Sequence, residues 1–326
     1  GLGPTVTRLI SAEVTRLLSR RFTGIAMILL LLGLAGYQLV INDALSPPSR
    51  EELVAAERMY QQAHRDWVAS HEQFEQQCRD TGGSQAECVI PEPILAEFSG
   101  QPQPLQEVAR TALQLSTLFI AVVAFMIAAS FIGAEYSSGS IANWLTFIPR
   151  RGQVFWSKLL CVAGFAALLG LFGAALVLSG TLILADLHGS RIGSVRELAE
   201  MGGRTTVPVV LLAIIGFCIG LLTRHTAGAI GLLLAAVVVW FVRTGPLSSL
   251  AWAQRVTPWT PEGNMAAVVD RGHRYYVPVE KVTPEGVNIE FVQHAVSFTH
   301  GVVYWSILLA LLVIASLLIF RRRDVS

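Results

Sequence analysis

Six apolar stretches, each long enough to cross a bilayer or nearly so, constrain this chain more than any other feature. They run over Phe22–Ile41, Leu113–Ala134, Leu159–Ala185, Val207–Leu222, Thr226–Val242 and Val302–Phe320. About 20 apolar residues at about 1.5 Å each match the hydrocarbon thickness of a membrane. The fourth and fifth are short, so a re-entrant pair is the alternative there; it leaves both termini on the same side. Composition agrees: 53% of the 326 residues are hydrophobic, 14% are charged and mean hydropathy is +0.55. Soluble domains carry about 25% charged residues. The expectation is an all-α polytopic membrane protein with six transmembrane helices.

The positive charge sets the orientation. Arg8, Arg16, Arg20 and Arg21 precede the first stretch. Arg150, Arg151 and Lys158 lie between the second and third, Arg224 between the fourth and fifth, and Arg321, Arg322 and Arg323 after the sixth. Six crossings put all of them on one side, expected to be the cytoplasm of a bacterial plasma membrane, with both termini there. Residues 42–112, 186–206 and 243–301 then lie outside. The start of the chain lacks the compact apolar core and cleavage site of a signal peptide, so the first stretch reads as a retained anchor.

No Asp, Glu, Lys, Arg or His falls inside the six stretches. Proton- or ion-driven carriers need such groups at membrane depth, and channels need polar rings along a pore. The chain also lacks HExxH, a nucleophile elbow and paired membrane-depth carboxylates, which argues against an intramembrane enzyme. No metal site is expected: His64 and His71 share a seven-residue spacing but read as solvated residues.

Outside the stretches the pattern changes. Residues 1–21 carry Val6, Leu9, Ile10, Val14, Leu17 and Leu18 at helical spacing, with Arg8, Glu13, Arg16, Arg20 and Arg21 mostly on other faces. This is an N-terminal interfacial helix, or a helix packed on its own protein. In the first outer loop Leu53, Tyr60, Trp67 and Phe74 recur every seven residues, a narrow stripe on a long helix. Ser49 caps it, with Glu51 and Glu52 in the first turn. The stripe is expected to pack on a second helix over about 93–110, giving an external helical hairpin, or on a partner copy. Cys78 and Cys88, ten positions apart, form a disulfide across that turn if the loop is outside the cytoplasm, or remain two surface thiols. Cys161 and Cys218 read as small buried hydrophobes. "HRYYVPVEKVTPEGVNIEFV" predicts a small β-hairpin of two short strands turning at residues 283–286. Trp252, Trp259, Tyr275, Tyr276, Tyr304 and Trp305 fit an aromatic belt at the outer interface. Gly216 and Gly220 allow close helix packing, within the chain or between copies.

Residues 135–158, "EYSSGSIANWLTFIPRRGQVFWSK", spend about twenty residues where a linker needs about two to six. Ile141, Trp144, Leu145 and Ile148 make an amphipathic helix that Pro149 stops; the bland alternative is an interfacial anchor. The order Glu, aromatic, Gly-Ser, then Pro, Arg and Lys resembles the corresponding loop of ABC-2-type permeases. "LISAEVTRLLSRR" and "FRRRDVS" resemble that family's ends, and the six-span layout matches throughout. The long first outer loop departs from its simplest members. The resemblance implies that residues 1–21 are a connecting helix and 135–158 a cytoplasmic coupling helix. It implies that Glu135, Tyr136, Gly139, Ser140, Arg150, Arg151 and Lys158 couple to an ATPase.

Members of that family pair two permease copies, identical or paralogous, with two ATP-binding cassette subunits. No GxxxxGK[ST] occurs in this sequence. ATP and Mg²⁺ are therefore expected on the partner subunit, with no cofactor and no enzymatic activity in this chain. The expected function is ATP-driven export of a lipid-like, amphipathic or drug- or peptide-like substrate. Membrane lipids are expected contacts and nucleic acid is not. The competing expectation is a non-transporting assembly or sensor subunit whose outer helical region binds a partner protein.

Overall fold

A computed structural model describes residues 4–80, 88–98, 104–139, 151–189, 193–248, 250–283 and 286–322. The chain is mostly helical, with one two-stranded sheet. Six helices are long and apolar enough to cross a membrane: α2 (Arg21–Leu45), α5 (Leu105–Ser137), α6 (Arg151–Leu187), α7 (Val195–Thr223), α8 (Thr226–Thr244) and α11 (Phe298–Arg322), with mean hydropathies of 2.0 to 2.7. Around them lie α1 (Pro4–Leu18), α3 (Arg50–Asp80), α4 (Leu95–Phe98), α9 (Ala251–Arg255), α10 (Pro261–Val269), and strands β1 (His273–Thr283) and β2 (Gly286–Val296).

All six apolar stretches fall inside these helices, but four of the helices run well beyond them. The reason is that a helix continues past the apolar boundary as long as one face stays buried. At the start of α5, Leu105, Val108, Ala109 and Ala112 are buried between the polar Gln106, Glu107 and Arg110. At the start of α7, Leu198, Met201, Gly202 and Thr205 do the same. The fourth stretch is thus one part of a 29-residue helix. Both α7 and α8 are long enough to span, joined by a two-residue turn with Arg224 at φ 58°.

The packed centre is the α5–α7 pair with α6 alongside. A Cβ on Gly216 would come within 2.5 Å of the Phe125 carbonyl oxygen, and one on Gly220 within 2.9 Å of the Ala129 carbonyl oxygen. The small-residue pair therefore seats α7 directly on α5, inside the chain. Phe155 is buried with its ring against Phe217 and Phe320, tying α6, α7 and α11 together. In contrast, α8 and α11 carry long exposed apolar faces, as helices facing lipid do.

Three expectations change. The partner of the α3 stripe is not a helix over 93–110. Among the described residues it is an extended arm with the single turn α4, and α5 starts at Leu105. Pro91 and Pro93 remove backbone donors and favour extended backbone there. Trp67 Nε1 donates to the Ile90 carbonyl at 3.0 Å, Tyr60 packs on Phe98, and the Cys78–Cys88 disulfide closes the arm. Trp305 is not a belt residue: it is buried against Leu211 and Val268. The hairpin strands are eleven residues each, paired from His273–Val296 to Thr283–Gly286. The Ser49 cap is present as a reciprocal box, with Glu52 N–H donating to Ser49 Oγ and Ser49 N–H to Glu52 Oε2 at 2.6 Å.

Candidate functional site

Basic residues gather at one end of the bundle. Arg151 donates to the Arg321 carbonyl at 3.2 Å, and Arg224 lies over the Tyr136 ring at 5.6 Å. This brings the ends of α5, α7 and α11 and the start of α6 together.

Within that end sits a cluster of four charges, three of them buried. Lys158, in the second turn of α6, places its Nζ 2.7 Å from Glu13 Oε2 and 2.7 Å from Glu135 Oε2. Arg20, the residue before α2, approaches Glu135 Oε1 at 3.6 Å and donates to the Ser130 carbonyl at 2.9 Å. Both cations lie over the face of Phe131, at 4.9 Å for Lys158 and 5.0 Å for Arg20. The ring's negative face adds attraction. Glu13, Glu135 and Lys158 are 1%, 3% and 1% exposed. Two carboxylates and two cations balance, and they join α1, the α1–α2 corner, α5 and α6.

Burying these ions costs several kcal/mol each in lost hydration, which their mutual attraction offsets only when the geometry is tight. A cluster of this kind adds little net stability over an apolar core. What it does supply is a fixed register: moving any one of the four helix ends by an ångström or two leaves a charge unpaired in a dry place.

Sequence reasoning assigned Glu135 and Lys158 to the polar segment, and the structure places both inside the protein. Residues 135–137 are the last turn of α5, and 151–158 are the first two turns of α6. Tyr136 is half-buried at the edge, and Gly139 is exposed with φ +66°, a conformation that suits glycine. Arg151 is the first residue of α6, and its guanidinium donates to the Arg321 carbonyl. Ser140 and Arg150 lie outside the described residues, as does the amphipathic run 141–148. The partners Glu13 and Arg20 were missed as site residues. Glu13 was placed on a polar face, whereas it and Leu17 are the face of α1 packed against α6, with Val14 and Leu18 left exposed. A signal did exist: the only Lys in the membrane half of the chain must find a carboxylate if it starts a spanning helix.

Elsewhere, His64 Nε2 pairs with Glu92 at 3.0 Å, and His71 stacks on Trp67 with Nδ1 donating to its carbonyl at 2.7 Å. Among the described residues no three His, Cys, Asp or Glu side chains converge as a metal site would require.

Six spanning-length helices, a close-packed α5–α7 core and a charge cluster at one end define a polytopic helical membrane protein. The chain belongs to the DUF2705 family, described as proteins of unknown function, whose profile matches residues 95–326. The matched part contains Glu135 and Lys158; Glu13 and Arg20 precede it. No curated protein matches the chain.

Proposed function

We propose that this chain is the membrane-embedded permease subunit of an ATP-driven transporter of the ABC-2 type, moved by an ATPase outside the chain. The carrying observation is the largely buried Glu13–Lys158–Glu135–Arg20 cluster. It locks the two helices that flank residues 138–150 to each other and to α1. A push on that segment therefore moves α1, α5 and α6 as one body rather than bending a loop. Because α7 packs on α5 through Gly216 and Gly220, the same push reaches the centre of the bundle. The resemblance of residues 135–158 to a coupling helix suggests the source of the push, and is in keeping with this end facing the cytoplasm. The lack of ionisable groups inside the six apolar stretches is in keeping with an external energy source. The apolar spans favour a lipid-like or amphipathic substrate.

The test separates contact from architecture. Glu135 and Lys158 are structural, so their loss would confuse the two. Gly139 is exposed and takes a left-handed conformation. Gly139→Asn, a side chain that tolerates the left-handed conformation and meets open space there, should leave insertion and thermal stability close to wild type, yet abolish substrate-stimulated turnover of a co-purifying ATPase in proteoliposomes. Normal coupled transport by that variant would sink the proposal.

A second reading has one observation in its favour. Only Ala56 of the 31-residue α3 is buried, and Leu53, Val68 and Phe74 are exposed on it. An arm so little used by its own chain suits a subunit that binds another protein. Deleting the arm distinguishes the two: transport survives under the first reading, and a stable external complex is lost under the second.

A further inference from the structure

The other end of α5 carries a second group of charges, built differently. Arg110 on α5, Glu197, Glu200 and Arg204 along one stripe of α7, and Asp270 and Arg271 just past α10 line a cavity of about 160 Å³. Drug-sized ligands occupy about 300–1,000 Å³, so this space suits something smaller. Three guanidinium groups and three carboxylates face it, and their formal charges cancel.

These groups are not locked together. Arg110 Nη2 stands 3.8 Å from Glu197 Oε1, and Arg271 Nη2 stands 3.5 Å from Glu200 Oε2; all four side chains are between 41% and 65% exposed. Loose, hydrated pairs of this kind hold their partners weakly and exchange them for a ligand at little cost. Arg204 is the exception in position. Its Nε donates to the Val269 carbonyl at 2.8 Å, which fixes the guanidinium plane. Its two Nη groups have no partner among the described residues. An immobilised guanidinium with a free edge is the geometry that binds a phosphate or carboxylate through two parallel hydrogen bonds. Among the described residues, Asp270 accepts only long contacts, at 3.3 Å to each oxygen, from Gln114.

A lone anion entering this space would meet three carboxylates, and a lone cation three guanidinium groups. A ligand bearing both signs a few ångströms apart meets neither obstacle. We propose that this cavity binds a small zwitterion of the phosphoethanolamine type, its phosphate on Arg204 and its ammonium among Glu197, Glu200 and Asp270. That group exists free in solution and as the headgroup of phosphatidylethanolamine. The site stands at the polar ends of two spanning helices, where either source has access. The inference goes beyond the ATPase-driven reading and does not depend on it.

The experiment uses the full chain, delipidated in detergent, and calorimetric titration with four probes: O-phosphoethanolamine, dihexanoyl-phosphatidylethanolamine, inorganic phosphate and ethanolamine. At least one of the two zwitterions is expected to bind saturably and at least tenfold more tightly than phosphate or ethanolamine alone. Binding of the free compound identifies a solute site, and binding of the diacyl compound alone identifies a headgroup site. Arg204→Gln is expected to weaken the interaction at least tenfold while the melting temperature stays within a few degrees. Since that change also removes the contact to Val269, Arg110→Gln and Glu197→Gln serve as a second pair, both on loose exposed groups, and each should weaken binding. The proposal is overturned if neither zwitterion binds, if phosphate alone binds as well as the zwitterions, or if binding is indifferent to the Arg110 and Glu197 changes.

Discussion

The two ends of α5 bear similar charges and use them in opposite ways. Around Glu135, Lys158 and two carboxylates are buried, 2.7 Å apart, and closed over by Phe131, with Arg20 at 3.6 Å on the partly open side. About 25 residues earlier, or about 38 Å along the helix axis, the Arg110–Glu197 and Arg271–Glu200 pairs are exposed, 3.5 Å or more apart, and border open space. The difference teaches how to read charge in a membrane protein. Where ions are dry and touching, any displacement is costly, so the group acts as a rigid joint. Where they are wet and apart, displacement costs little, so the group is free to receive a ligand.

The comparison breaks most visibly at Lys158. Lys158→Met leaves Glu13 and Glu135 with only the more distant Arg20 as a cation, and should lower stability by about 3–5 kcal/mol, read as thermal or denaturant unfolding in detergent. Adding Glu13→Gln and Glu135→Gln should recover more than half of that loss. A loss under about 1 kcal/mol for the single change would mean that the joint is hydrated. Between the two ends, Gly216→Val would force a side chain against the Phe125 backbone. Overpacking there should cost about 1–3 kcal/mol, and crosslinking between α5 and α7 should report a widened gap. Dimer loss with intact α5–α7 crosslinks would instead make the glycine pair a contact between copies.

At the loose end the same kind of change should do much less. Arg110→Gln removes one exposed ion pair and should alter stability by less than about 1 kcal/mol, against the several expected at Lys158. Equal losses at both ends would abolish the distinction. The smallest expected effect is on pH dependence. Partial burial lowers the His273 pKa below its usual 6.5, helped by nearby Arg243 and opposed by Asp270. The unfolded chain therefore takes up that proton first as pH falls. Stability should be full above pH 6.5, decline on acidification toward the lowered value, and level off below it. Hydrogen exchange at the base of the β1–β2 hairpin between pH 7.5 and 5 checks this, and His273→Gln should flatten the response. A rise in protection on acidification would mean the carboxylate of Asp270 outweighs burial.

Much of the architecture was legible because apolar length is a local property. Any twenty-residue run without charges must be satisfied by its own backbone hydrogen bonds in lipid, so Phe22–Ile41 or Val302–Phe320 had one solution. The Ser49 cap and the antiparallel pairing of the two strands were equally local; the expected turn at 284–285 lies outside the described residues. The arm after Cys88 was misjudged because a helical partner for the α3 stripe was expected where Pro91 and Pro93 favour extended backbone. The candidate site was half legible: Glu135 and Lys158 stood out by position, while Glu13 and Arg20 did not, since they lie more than a hundred residues away and only packing brings them near.

What the sequence determined by itself is the number of long apolar helices, the exclusion of charged residues from their apolar stretches and the covalent reach of the Cys78–Cys88 pair. Each follows from short-range chemistry: helix formation in an apolar solvent, charge avoidance of that solvent, and chain length. Only the tertiary structure decided that Glu135 and Lys158 face inward rather than toward a partner. It alone turned Gly216 and Gly220 to α5, and gathered Arg110, Arg204 and Arg271 around one cavity. Those outcomes depend on how helix surfaces interlock, and the energy of interlocking belongs to pairs of distant residues rather than to any one stretch of chain.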